Sequence, residues 1–117
     1  MKQMEKMALV YSNFSSPESA RSVVRILMQE QIITCANIFQ PHFAIYPWDN
    51  KIEEESETAV LFKGPWSKKD RLIERLRSIH PYELPGIILL DAQTLPDYAA
   101  WLDRPQDIKA RDTLPPK

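Results

Sequence analysis

Glycine is almost absent from this chain: only Gly64 and Gly86 occur in 117 residues. That excludes glycine-rich phosphate loops and dinucleotide fingerprints, which need several such residues close together. Cysteine occurs once, as Cys35, so no disulfide can form within the chain. A reducing, cytoplasmic setting is the expected home of such a composition. No apolar run approaches the roughly 20 residues of a membrane-spanning helix. The opening residues, Met1 to Lys6, have no apolar signal region behind them. Neither sign of charge dominates, the formal net charge being -1. Nothing in that balance points to nucleic acid or an anionic membrane surface as partner, and no basic-aromatic RNA-binding pattern is present. Hydrophobic content of 44% and charged content of 26% suit one soluble globular domain with its own core.

Proline, by contrast, occurs ten times and punctuates the chain. Met7 to Ser12 reads as a short buried strand. Ser16 before Pro17 is a helix start, and Ala20, Val23, Val24, Leu27 and Met28 keep helical spacing to about Gln31. Ile33 to Trp48 is rich in β-branched and aromatic residues and predicts one long strand, bulged or bent near Gln40-Pro41. Asp49-Asn50 suits a two-residue hairpin turn, since both residues tolerate positive φ. The return strand is Lys51 to Lys63. Ser67 is the expected cap of a second helix, with Asp70 three residues on and Leu72, Ile73, Leu76 and Ile79 as its buried stripe. Gly86 to about Gln93 predicts a strand, and Leu95 to Leu102 a short helix.

The order strand, helix, strand, strand, helix, strand predicts an α+β, ferredoxin-like split βαβ sandwich. Its four-stranded antiparallel sheet would carry two helices on one face, with a short C-terminal helix appended. Residues 1–6 are an N-terminal extension, 7–102 the domain and 103–117 a polar tail. The hairpin strands look about twice the usual 5–6 residues. Their overhang, with Phe43, Ile45, Tyr46 and Trp48, leaves an edge to be covered. Pairing with further copies of the chain would cover it, as would a hairpin curled over its own core.

The segment with most chemistry is His80-Pro81-Tyr82-Glu83-Leu84-Pro85. Two prolines fix its backbone, so it forms a rigid knuckle that stops a helix and aims an imidazole, a phenol and a carboxylate. His80 and Glu83 can serve as metal ligands or move a proton; equally, His80 can close the helix end. Cys35 is either a soft ligand for Cu(I) or a small buried hydrophobe. Glu53, Glu55 and Glu57 alternate onto one strand face and Glu54 onto the other. Three carboxylates on one face can attract a hard cation; more often such a run forms a solvated face beside lysines such as Lys51. Tyr46, Trp48, Tyr82 and Trp101 are candidates to line a subunit interface or cleft. An enzyme using Cys35 and His80 lacks a nucleophile signature and an orienting partner.

Four segments together resemble one known family. They are Thr34-Cys35-Ala36-Asn37-Ile38, the hairpin from Ile45 to Glu53, the His80 to Pro85 knuckle, and Tyr98 with Trp101-Leu102. They are similar to marks of the CutA family of divalent-cation tolerance proteins, in the same order, from about Met7 to Leu102. The resemblance implies a ferredoxin-like fold and a homotrimer built by pairing long hairpins, similar in architecture to the PII signal proteins. It implies a non-enzymatic role in tolerance of copper and other divalent cations, with His80, Glu83 and Cys35 as metal positions and no organic cofactor. Tyr46, Trp48, Lys51, Tyr82 and Trp101 would line clefts between subunits. The chain departs from the pattern at Ser12, Ile79 and Gly86, where the family often carries ligand-type residues. The alternative is a PII-like signalling or protein-interaction trimer without metal binding, engaging a further protein partner.

Overall fold

The computed structural model describes residues 3–106 and 108. Its strands are β1 (Glu5–Phe14), β2 (Cys35–Ile38), β3 (His42–Trp48), β4 (Lys51–Pro65) and β5 (Ile87–Thr94); its helices are α1 (Pro17–Gln29), α2 (Lys69–Ile79) and α3 (Pro96–Asp103). The main sheet runs β2-β4-β1-β5, with β3 paired to β4 off that path. All pairings are antiparallel. The split βαβ arrangement read from the sequence is therefore present, but with five strands instead of four.

The difference lies at Phe39–Pro41. The predicted single long strand breaks there into β2 and β3, because Pro41 lacks a backbone N–H and cannot continue the ladder. β4 does not break. Its second half, from Thr58 to Pro65, pairs with β1, and its first half, from Lys51 to Glu57, pairs with β3. One strand thus belongs to both the core sheet and an outlying hairpin. Asp49 and Asn50 close that hairpin with φ of 52° and 63°, the left-handed conformation expected of them.

Ser16 caps α1 as expected, its Oγ accepting from the Ser19 N–H at 3.1 Å ahead of Pro17. Ser67 does not cap α2. Trp66–Lys68 forms a 3-10 turn that leaves Ser67 one residue before the capping position, which Lys68 occupies with no side-chain cap. β1 also begins earlier than the expected Met7, at Glu5, and most of the expected tail lies outside the described residues.

Both long helices cover one sheet face. Ala8, Val10 and Phe14 of β1 and Val60 and Phe62 of β4 meet Ala20, Val23 and Leu27 of α1 and Leu72 and Leu76 of α2. These alternate residues follow from the period-2 pleat and the helical stripe. Gly64 lies at the end of this face. A Cβ built there would stand 2.9 Å from the Ile32 carbonyl oxygen. Backbone cannot yield as a side-chain tip can, so Gly64→Ala is expected to cost about 1–3 kcal/mol of stability. Urea unfolding checks this, and an unchanged midpoint would contradict it.

The opposite face is only partly covered. α3 closes it near the start of β1, where the Leu102 carbonyl accepts from Thr34 Oγ1 at 2.6 Å. Beyond α3, Ile88 and Leu90 of β5 are exposed, in register with Tyr11 and Leu9.

Candidate functional site

The knuckle after α2 meets the far end of β1 and the first half of β4. His80 ends the helix, its N–H donating to the Leu76 carbonyl at 2.9 Å. Its ring is buried and stacks on Phe14, with centroids 4.4 Å apart and planes 13° apart. Both ring nitrogens are engaged. Nδ1 accepts from the Tyr82 N–H at 3.1 Å, so Nδ1 carries no proton. Nε2 then bears the hydrogen, and it donates to the Asn13 carbonyl at 2.9 Å, with Ser12 Oγ also within 3.1 Å. Ser12 in turn donates to the Gly86 carbonyl at 2.8 Å. Burial holds the His80 pKa below its ordinary value of 6.5, against the opposing pull of the Asn13 carbonyl and Glu57.

That tautomer decides what His80 can do. A Ser–His pair for acyl transfer needs a bare nitrogen facing the hydroxyl. Here the nitrogen facing Ser12 carries the hydrogen, and Ser12 itself is fully buried. The arrangement locks the turn and offers no general base.

In front of the knuckle opens a cleft of about 600 Å³. One wall is the hairpin face with Tyr46, Trp48, Glu55 and Glu57; the other is the turn with Tyr82 and Glu83. The two sides meet where the Tyr82 hydroxyl donates to Glu57 Oε2 at 2.8 Å. On the hairpin wall, the Tyr46 hydroxyl donates to Glu55 Oε1 at 2.6 Å. That bond, then burial, pushes the Tyr46 phenol up to about 12. Burial and the Glu57 hydrogen bond push the Tyr82 phenol up as well. Both phenols stay protonated and act as donors. No Lys, Arg or His lines the cleft among the described residues.

The register confirms the alternation expected of the acidic strand. Glu53, Glu55 and Glu57 stand opposite Tyr46, Ala44 and His42, while Glu54 and Ser56 share the other face with Ile45 and Phe43. Their partners differ from expectation, since Glu55 and Glu57 are held by tyrosines and not by lysines. Sequence reasoning weighed these two as a cation-attracting face, preferred a solvated run and did not count them among the cleft residues. The signal that could have found them was the period-2 match of Glu55 and Glu57 to Tyr46 across a hairpin whose turn was already placed.

The metal set expected from the sequence is not brought together. Cys35 pairs in register with Lys63, which faces Leu9, whereas His80 sits against Ser12 and Asn13, two strands away and further along. Cys35 instead lies beside Tyr98 of α3, whose phenol is pushed up by burial and then by that thiol. Glu83 is in the cleft, but His80 spends both nitrogens on the protein. Among the described residues no three His, Cys, Asp or Glu side chains are grouped to hold one metal ion. The donor set therefore does not fit a soft copper centre. Trp101 is also outside the cleft. It packs against Tyr98 at 5.7 Å on α3, at the opposite end of β1. Lys51 lies at the hairpin tip opposite Trp48 and does not line the cleft.

A family model described as CutA1 divalent ion tolerance protein matches residues 8–105. The chain belongs to the CutA1 divalent ion tolerance family. Over 97 residues it is 40% identical to the divalent-cation tolerance protein CutA of Pyrococcus horikoshii, covering 82% of this chain and 94% of that one. The crystal structure of that relative superposes with a TM-score of 0.77 over the same shares of the two chains. A PII-like protein CutA from Nostoc, solved in apo form, is 28% identical, covers 83% and 94% of the two chains and has a TM-score of 0.76. A CutA from Archaeoglobus fulgidus described as periplasmic is 25% identical, covers 82% and 94%, and also reaches 0.76. The CutA fold expected from the motifs is thus the fold observed. No helix of the described residues is long and apolar enough to cross a membrane.

Proposed function

We propose that this CutA-family chain acts in divalent cation tolerance as a non-enzymatic homotrimer, holding a cationic ligand in the cleft between hairpin and knuckle. The observation that carries the reading is the lining of that cleft. Glu55, Glu57 and Glu83 face it from two walls, and no Lys, Arg or His is among its lining residues in the described part of the chain, His42 standing opposite Glu57 outside the lining. Carboxylates lining one concave site attract positive charge. The role is one of binding: Cys35 and His80 are apart, and the His80 tautomer is wrong for activating Ser12. The single unpaired cysteine suits work in the cytoplasm.

The trimer is supported by what the hairpin leaves uncovered. Phe43 is 73% exposed, Ile45 64% and Ile52 80%. In register they lie on the hairpin face that points away from the cleft. The free edge of β3 lies beside these residues, and Ile88 and Leu90 of β5 are exposed as well. A monomer rarely leaves so much contiguous apolar area in water. The same surface favours the second reading, a protein-interaction trimer without a bound cation.

Sedimentation velocity tests the assembly. Wild type is expected at three times the 13.6 kDa chain mass, and the double variant Phe43→Glu, Ile45→Glu at one. A wild-type monomer would overturn the trimer. Titration with Mn(II) tests the cleft, with Glu83→Gln expected to weaken binding about tenfold.

A further inference from the structure

We infer that the cleft's cation is organic: a small diamine or polyamine carrying alkylammonium groups. The inference rests on the reading of the cleft as a cation site, and it names the ligand's class.

A divalent metal ion needs its oxygen donors gathered within about 2.0–2.6 Å of one point. The carboxylates here are not so gathered. Glu55 and Glu57 stand two residues apart on β4, and each already accepts a tyrosine hydroxyl. Glu83 belongs to the facing wall. The lining spreads negative charge along a trough and does not focus it on a point.

The other half of the lining is aromatic. Tyr46 and Trp48 come from the hairpin and Tyr82 from the knuckle. The faces of such rings are the negative part of their quadrupole and attract ammonium groups, while they also pack against alkyl stems. Strongly hydrated metal dications gain little from them. Carboxylates and rings present together on both walls match a ligand that joins ammonium groups to an alkyl stem. The Tyr46 and Tyr82 hydroxyls, protonated and committed to Glu55 and Glu57, fix the orientation of two of those carboxylates before any ligand arrives. That preorganisation reduces the ordering cost on binding.

Calorimetric titration of the full chain with 1,5-diaminopentane, beside Mn(II) and the neutral 1,5-pentanediol, tests the inference. The diamine is expected to bind saturably, to displace Mn(II), and to weaken about tenfold in Glu83→Gln and about threefold or more in Trp48→Ala. The diol is expected not to bind. Diamine binding that is unchanged in both variants would place it elsewhere and overturn the inference. Mn(II) binding that depends on Glu83, with no diamine binding, would overturn the organic ligand and leave the cation cleft standing. Binding of neither cation would remove both readings.

Discussion

Replacing Phe14 by alanine is expected to remove about 3–5 kcal/mol of stability, the cost of deleting a large fully buried ring. Phe14 is wholly buried at the end of β1. On one side its ring meets Phe62 edge-on at 6.2 Å, and on the other it lies flat against His80 at 4.4 Å. The first contact belongs to the core between sheet and helices; the second supports the knuckle. The cavity left by Phe14→Ala would border both, and the knuckle's own backbone is stiffened by Pro81 and Pro85, so collapse into the space is limited. Urea unfolding measures the loss. The variant is also expected to weaken cation binding in the cleft, because His80 loses its stacking partner and holds Tyr82 less well. A loss below about 1 kcal/mol would show that the site relaxes freely, contrary to this packing account.

Loss of the His80 side chain is the second large effect. His80→Ala leaves the Asn13 carbonyl and the Tyr82 N–H without their partner and removes the stack on Phe14. Each buried group left unsatisfied costs about 1–3 kcal/mol, so a total of about 2 kcal/mol or more is expected. Acid acts on the same group by another route. Burial holds its folded-state pKa below 6.5. The unfolded chain therefore takes up a proton near that pH while the folded chain resists it. The His80 contribution is complete above about pH 6.5 and is lost as pH falls toward the folded-state pKa. Protonation would also set an N–H at Nδ1 against the Tyr82 N–H. The urea midpoint of wild type is expected to fall as pH drops below about 6.5, before most carboxylates titrate. In His80→Gln it is expected to stay level over that drop. Parallel curves for the two proteins would refute the assignment.

Much of the fold could be read from local chemistry. Ser16-Pro17 announces a helix start, Asp49-Asn50 a tight turn, and the apolar spacing of α1 and α2 their buried faces. Each of these depends on a few neighbouring residues. What went unread depends on register or on an interrupted ladder. Pro41 looked like a bend because the residues on both sides favour strands. It became a break because β4 turns from one partner to another there. Ser67 looked like a cap because its spacing to Asp70 is right, and the 3-10 turn shifted the helix start by one residue.

The site divides in the same way. The knuckle and the aromatic residues of the hairpin stand out as motifs, and the structure brings Tyr46, Trp48, Tyr82 and Glu83 to one cleft. The Tyr46–Glu55 and Tyr82–Glu57 bonds join residues 9 and 25 positions apart. They become visible only when the hairpin register and the path of the turn are both fixed. Cys35 and His80 are each plausible ligands by chemistry, and only the strand order separates them.

The central place of β1 also bears on how the chain is made. It leaves the ribosome before every other described strand, yet both of its ladder partners, the second half of β4 and the whole of β5, are encoded far downstream. At about 5–20 residues per second, several seconds pass between completion of Phe14 and emergence of Thr58 opposite it. Through that interval Ala8, Val10 and Phe14 have no strand beside them. α1, synthesised immediately afterwards with its own apolar stripe, is the first element able to shelter them.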